Sequence, residues 1–295
     1  MDQLARGFRT DMAEPAFVDL GHCQLAYRKL GQGDPLLLVH GFPLHGMTFR
    51  HLVRYLARDY TCIIPDLPGL GETKWTKDTD FNFVGQAKTL KNFVDRLGLG
   101  PYAILAHDTG ATIARRLTTT DSARVTKLIM IGTEIPGHRP PWIEFFQKTS
   151  SPKRTALYRF LMNMRSFRHS KAAFGGCFFD ASLIDGEFHD LFVAPLLKSK
   201  DRIRGQIHYL QGIDWSIVDG MRQEHRLITI PTLLIWGRED TVFPVEEARG
   251  MAAQLPNCHG LAIIERARLF VHEERPAEVA QIALDFLCKA QIETA

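Results

Sequence analysis

PYAILAHDTGATIARR, residues 101–116, decides how this chain is read. Residues 102–106 are a short apolar run, the mark of a buried strand. HDTG (107–110) breaks that run, and residues 111–117 resume with helical spacing. Small residues, Ala106 and Gly110, stand two places either side of Asp108, as a sharp strand-to-helix turn with close helix packing requires. The pattern is that of a nucleophile elbow carrying Asp instead of Ser. At a helix N-terminus, free N–H groups and the helix dipole favour an ionised Asp. Such a carboxylate can attack saturated carbon to form an ester that must later be hydrolysed. It can also simply N-cap the helix. Both roles are open from this stretch alone.

The surrounding elements set it in a larger plan. Residues 16–20 and 23–30 read as an antiparallel hairpin. Apolar runs at 35–39, 61–65, 125–131, 231–236 and 260–265 read as further strands. Helical spacing fills 49–57, 83–97, 245–254 and 276–290, the last opening on Pro276. Continuous apolar strands alternating with helices predict a mostly parallel sheet covered on both faces. The rhythm stops over 135–227, which is rich in Phe, Trp, Tyr and Arg, and this is expected to be a helical cap. The expected division is a core of 15–134 and 228–290, a cap of 135–227 and an N-terminal tail of 1–14.

The bulk numbers exclude several classes. The chain of 295 residues has ample sequence for one large core, and a net charge of +3 without a basic run gives no nucleic-acid signal. Five scattered cysteines without metal spacing predict reduced, mostly buried thiols, no metal and a cytoplasmic location. The first fourteen residues lack the pattern of a signal peptide, and no apolar run reaches spanning length, so no membrane partner is expected.

Three motifs in order carry a family resemblance over roughly residues 15 to 290: HGFP (40–43), DLPGLGET (66–73) and HDTG (107–110). Together they resemble the α/β-hydrolase superfamily, in the Asp-nucleophile branch of epoxide hydrolases and haloalkane or haloacid dehalogenases. The resemblance implies an α/β fold with a mostly parallel eight-stranded sheet, helices on both faces and an inserted helical cap. It implies a cofactor-free enzyme with Asp108 as nucleophile, backbone N–H groups of Phe42 and Thr109 as oxyanion donors, and Asp240 (in GRED, 237–240) as the acid that orients a base. Glu239 is the neighbouring fallback for that acid.

The base position departs from the family. Seven residues before Pro276, where its members carry His, stands Leu269. The only histidine of that loop is His272, three residues later, which is either a base in a re-registered loop or a packing residue. The distinction matters because attack by a carboxylate needs no base, whereas hydrolysis of the ester does. Thr109 also replaces the Trp that many epoxide hydrolases and haloalkane dehalogenases carry, whose N–H helps hold a leaving halide, and it differs from the Arg of fluoroacetate dehalogenases. An epoxide is therefore expected before a halide, with Tyr209, ahead of Tyr158, as the tyrosine that protonates the opening oxygen. Trp142, Phe174, Phe178, Phe179 and Trp215 are expected mostly in the core, though some should line an apolar pocket for a small, largely apolar substrate. The rival reading is a ligand-binding or non-hydrolytic relative that lost turnover at Leu269. The oligomeric state is not legible.

Overall fold

In the computed structural model, nine strands form one sheet among the described residues, Met12 and 14–288. They are β1 Ala16–Asp19, β2 Cys23–Leu30, β3 Asp34–Val39, β4 Tyr60–Pro65, β5 Lys74–Trp75, β6 Tyr102–His107, β7 Val125–Ile131, β8 Thr232–Gly237 and β9 Cys258–Ile264. Eight of them lie in the order β1-β2-β4-β3-β6-β7-β8-β9, and β5 pairs with β2 off that path. The expected eight strands are this path. The ninth has only two residues, too few for any periodic signal, and it ends the glycine-rich loop after β4. Pairings of β2 with β1, β4 and β5 are antiparallel, and all pairings from β4 to β9 are parallel. Most of the expected tail 1–14 and residues 289–290 of the expected last helix lie outside the described residues.

Both faces of the parallel strands are buried, which is why their sequences are continuously apolar. The period of two sends Leu37, Val39, Ile104, Ala106, Leu128 and Met130 to one core. Leu36, Leu38, Ala103, Leu105, Ile129 and Ile131 go to the other. The first core is closed by helices α2 (Phe83–Arg96) and α3 (Thr109–Thr120). The second is closed by α1 (Arg50–Leu56) and the last helix (Pro276–Cys288), which is α12. Asn82 caps α2, accepting the Gly85 N–H at 2.8 Å. Gly98 beyond its end takes φ +61°, a conformation that favours glycine.

Between β7 and β8 the chain is helical: α4 Pro141–Thr149, α5 Thr155–Asn163, α6 Arg165–Arg168, α7 Ala194–Lys198, α8 Lys200–Gly212 and α9 Trp215–Glu224. After β8 come α10 Val245–Ala252 and the one-turn α11 Val271–Glu274. All five cysteines are free. Cys23 and Cys62 are buried, Cys177 and Cys258 are half-buried and Cys288 is exposed, fewer buried thiols than expected.

Candidate active site

The chain runs from β3 to β4 on one side and returns to β6 on the other, so β3 and β6 part at their C-terminal ends. Ligand crevices of open α/β sheets lie at such a switch in strand order. Two segments meet there: residues 40–43 leaving β3 and Asp108 leaving β6. Asp108 has φ 51° and ψ −134°, a conformation that a non-glycine residue holds only when its surroundings impose it. Its N–H donates to the Gly132 carbonyl at 2.8 Å, and the Thr133 hydroxyl donates to its carbonyl at 2.9 Å. The small neighbours are needed for approach. A Cβ on Gly110 would lie 2.2 Å from the His40 carbonyl oxygen, and one on Gly41 would lie 2.4 Å from Asp108 Cβ.

The Asp108 side chain does not cap α3. Its Oδ2 accepts instead from the Phe42 N–H, at 2.9 Å. Burial pushes the Asp108 carboxyl well above its ordinary range, and the nearby Glu134 pushes the same way. The Thr109 and Phe42 N–H groups oppose this by favouring the ionised form. The hydroxyl of Thr109 lies 2.9 Å from the Phe42 N–H and 2.9 Å from the Tyr209 hydroxyl. Tyr209 stacks on Phe42, with ring centroids 5.7 Å apart.

Above Asp108 lies a cavity of about 460 Å³ whose walls come from both the sheet ends and the helical stretch. Trp142, Phe174, Trp215, Phe42 and Leu269 give it an apolar lining. Of the remaining aromatics, Phe178 is buried in the core, as most were expected to be, and Phe179 is exposed. Tyr158 lines the cavity and donates to Gln206 Oε1 at 2.8 Å, whereas Tyr209 stands behind Thr109 and Phe42, outside the lining. Of the two tyrosines, Tyr158 is thus the one on the cavity wall, and the hydroxyl of Tyr209 meets the elbow.

The loop after β9 does not bring His272 to Asp108. His272 is fully buried outside the cavity lining, and its Nε2 lies 2.7 Å from Thr48 Oγ1. Thr48 donates its own proton to Glu273 Oε1 at 2.8 Å, so His272 must be the donor and carries its proton on Nε2. Its ring packs on His107, centroids 4.3 Å apart, and on Phe49. Burial holds its pKa well below the ordinary value, with the neighbouring His107 adding to this. The expectation of a re-registered loop is therefore corrected: α11 starts at Val271 and turns His272 back toward Thr48 beside α1.

Leu269 occupies the wall where the family position falls. A Cβ on Gly132 would lie 3.0 Å from Leu269 Cδ1 and 3.6 Å from Asp240 Oδ2, which places both side chains at one spot. Asp240 Oδ1 accepts from the Val242 and Phe243 N–H groups, at 2.8 and 3.0 Å. Its Oδ2 is buried and has no partner. Burial pushes its carboxyl up to about 7, against the pull of those two N–H groups. Glu239 accepts from the Ala267 N–H at 3.1 Å, in the turn between β8 and the next loop.

Sequence reasoning missed Glu134. It lies three residues past β7 in an unremarkable loop, is 2% exposed and lines the cavity. Its Oε2 accepts from the Thr112 hydroxyl at 2.6 Å and lies 3.1 Å from the Thr133 hydroxyl. Burial raises its pKa, while Thr112 and the fully buried Arg115 lower it. No group of His, Cys, Asp and Glu among the described residues has the arrangement of a metal site.

Sheet order, elbow and loop after β3 define the class, and comparison with known proteins agrees. Residues 34–276 match the family model of the alpha/beta hydrolase fold, and the chain belongs to that family. It is similar to epoxide hydrolase 4 of Mus musculus, 24% identical over 277 residues covering 87% of this chain and 74% of that protein. It is equally similar to haloalkane dehalogenase 2 of Mycobacterium tuberculosis, 24% identical over 275 residues covering 92% of this chain and 94% of the other. The epoxide hydrolase CorEH superposes with a TM-score of 0.77 at 21% identity, over 93% of this chain and 98% of that one. At that identity the superposition speaks to the fold.

Proposed function

We propose that this chain opens an electrophilic carbon, an epoxide before a halide, by forming an ester on Asp108. The observation that carries this reading is the Phe42 N–H on Asp108 Oδ2 at 2.9 Å. It fixes one oxygen and leaves Oδ1 as the attacking atom. The helical stretch 135–227 acts as the cap, and the apolar cavity of about 460 Å³ suits a small, largely apolar substrate. Attack forms the Oδ1–carbon bond and breaks the carbon–oxygen bond of the ring. The ring oxygen then takes a proton from Tyr158, the tyrosine on the cavity wall. Only the ionised fraction of Asp108 attacks, and its raised pKa makes that fraction grow as pH rises.

The test is intact-protein mass after incubation with a panel of epoxides and alkyl halides, beside Asp108→Asn. The expected result is an adduct, or product formed through one, that Asp108→Asn lacks. Neither adduct nor product across the panel, or equal labelling of the Asn variant, would sink the reading. A second reading, a non-hydrolytic relative that forms the ester without releasing it, is favoured by one observation: Leu269 stands in the wall and, among the described residues, no imidazole lines the cavity. An adduct that never clears would decide for it.

A further inference from the structure

An ester on Asp108 needs activated water, and the family position for the base holds Leu269. Few of the groups lining the cavity could remove a proton from water. Asp108 and Glu134 are its only carboxyls among the described residues, and Asp108 would be the ester. The thiol of Cys177 is pushed well above its ordinary pKa by burial, with the acidic Asp240 adding to this. Arg154 is a permanent cation and Tyr158 donates to Gln206. That leaves Glu134. We infer that Glu134 is the base that activates water against an Asp108 ester, in place of the histidine that Leu269 displaces; this rests on the reading of Asp108 as nucleophile.

The geometry around Glu134 suits the role. The Thr133 hydroxyl stands 2.9 Å from the Asp108 carbonyl oxygen and 3.1 Å from Glu134 Oε2, tying the carboxylate to the elbow. Thr112, itself accepting from Arg115 at 2.6 Å, must donate its own proton to Glu134 Oε2. Both hydroxyls engage one oxygen, Oε2. Like charges oppose ionisation of Asp108 and Glu134 together. Esterification neutralises Asp108 and removes that repulsion, which favours the ionised form of Glu134 when a base is needed.

The step balances. Glu134 takes a proton from water as the water oxygen bonds to Cγ of the Asp108 ester, and negative charge builds on Oδ2, which the Phe42 N–H holds. The acyl carbon–oxygen bond then breaks, and its electron pair leaves with the product oxygen, which takes the proton back from Glu134. Asp108 is released as the acid. Its proton goes to solvent, in exchange for the solvent proton that restored Tyr158 after ring opening.

The experiment is single-turnover mass spectrometry on the whole chain, with an epoxide that labels the wild type, comparing Glu134→Gln and Glu134→Asp. Glu134→Gln should gain the adduct and release it about 10²–10⁴-fold more slowly, the usual range for loss of a general base. Glu134→Asp should recover part of that loss. Glutamine keeps an acceptor for Thr112 and Thr133, and a thermal melt reports whether the fold is intact. Release at the wild-type rate from Glu134→Gln overturns the inference and leaves Asp108 as nucleophile untouched. Parallel loss of adduct formation and release, with a lowered melting temperature, also overturns it, because a packing role would do that. Absence of any adduct or product in the wild type falls on the parent reading, and the inference goes with it.

Discussion

At the scale of single residues, the site holds one oxygen that no local rule explains, Asp240 Oδ2. Its partner oxygen is used in a turn, and it is buried without a hydrogen bond beside Leu269. The consequence is a pH dependence of stability. The folded pKa is about 7 against an ordinary 3.8, so between those values the folded chain keeps a proton that the unfolded chain has lost. The contribution of Asp240 is therefore full below about pH 3.8 and is lost as pH rises to about 7. The size is on the order of 2–4 kcal/mol. Asp240→Asn should remove this slope: urea melts from pH 4 to 8 should show the variant gaining relative to the wild type as pH rises, whatever the offset from its amide. A constant difference across that range would mean that Asp240 is not held neutral. The same residues bound what the sequence could disclose. The meeting of Asp108 and Phe42 was legible because each lies in a short motif beside a strand end. The place of His272 was not, because a buried histidine answers to contacts distant in sequence: Thr48 holds His272 224 positions away. Glu134 carried no signal, since its meaning comes only from Thr112 and Asp108 folding around it.

At the scale of elements, two strand ends and one helix make the site, and the tolerance is set by backbone contact. The second residue of α3 is Gly110, over which β3 ends so closely that a Cβ would lie 2.2 Å from the His40 carbonyl oxygen and 2.5 Å from that of Val39. Neither atom can swing aside as a side chain would. Gly110→Ala should therefore push α3 off β3 and lower stability by about 3 kcal/mol, the upper part of the usual range for overpacking. Gly250 in α10 is a built-in contrast, exposed and with nothing within 4 Å of an added Cβ. Gly250→Ala should raise stability by about 0.5–1 kcal/mol, the helix-propensity difference. Equal effects in equilibrium denaturation would show that contact with β3 does not set the cost at Gly110. Strands buried on both faces wrote themselves plainly as apolar runs. The antiparallel two-residue β5 could not, because its place depends on the register of Cys23 and Gln24 on β2.

At the scale of the molecule, the cavity is where the sheet ends and the helical stretch meet, so its occupant joins them. Phe42, Asp108 and Leu269 come from one side, and Phe145, Leu157 and Tyr158 from the other. Phe145 and Leu157 are 61% and 56% exposed although they also line the cavity, as residues at its mouth would be. An apolar group fixed beneath them by an ester on Asp108 gives these side chains a surface to close upon, at about 25 cal/mol per Å² of apolar area removed from water. The stabilisation should appear mainly in α4 and α5, which open more readily than the strands. Amide exchange on the adduct should slow across residues 141–163, with little change in β3, β6 and β7, whose amides are already locked in the sheet. Asp108→Asn with the same compound should lack this protection at concentrations where it does not bind. Protection confined to the elbow would mean that the helical stretch does not close over the substrate, and the cap reading would fail while the chemistry at Asp108 stood. Protection spread evenly over all elements would point to global stabilisation by the label, and the mouth would then lie elsewhere.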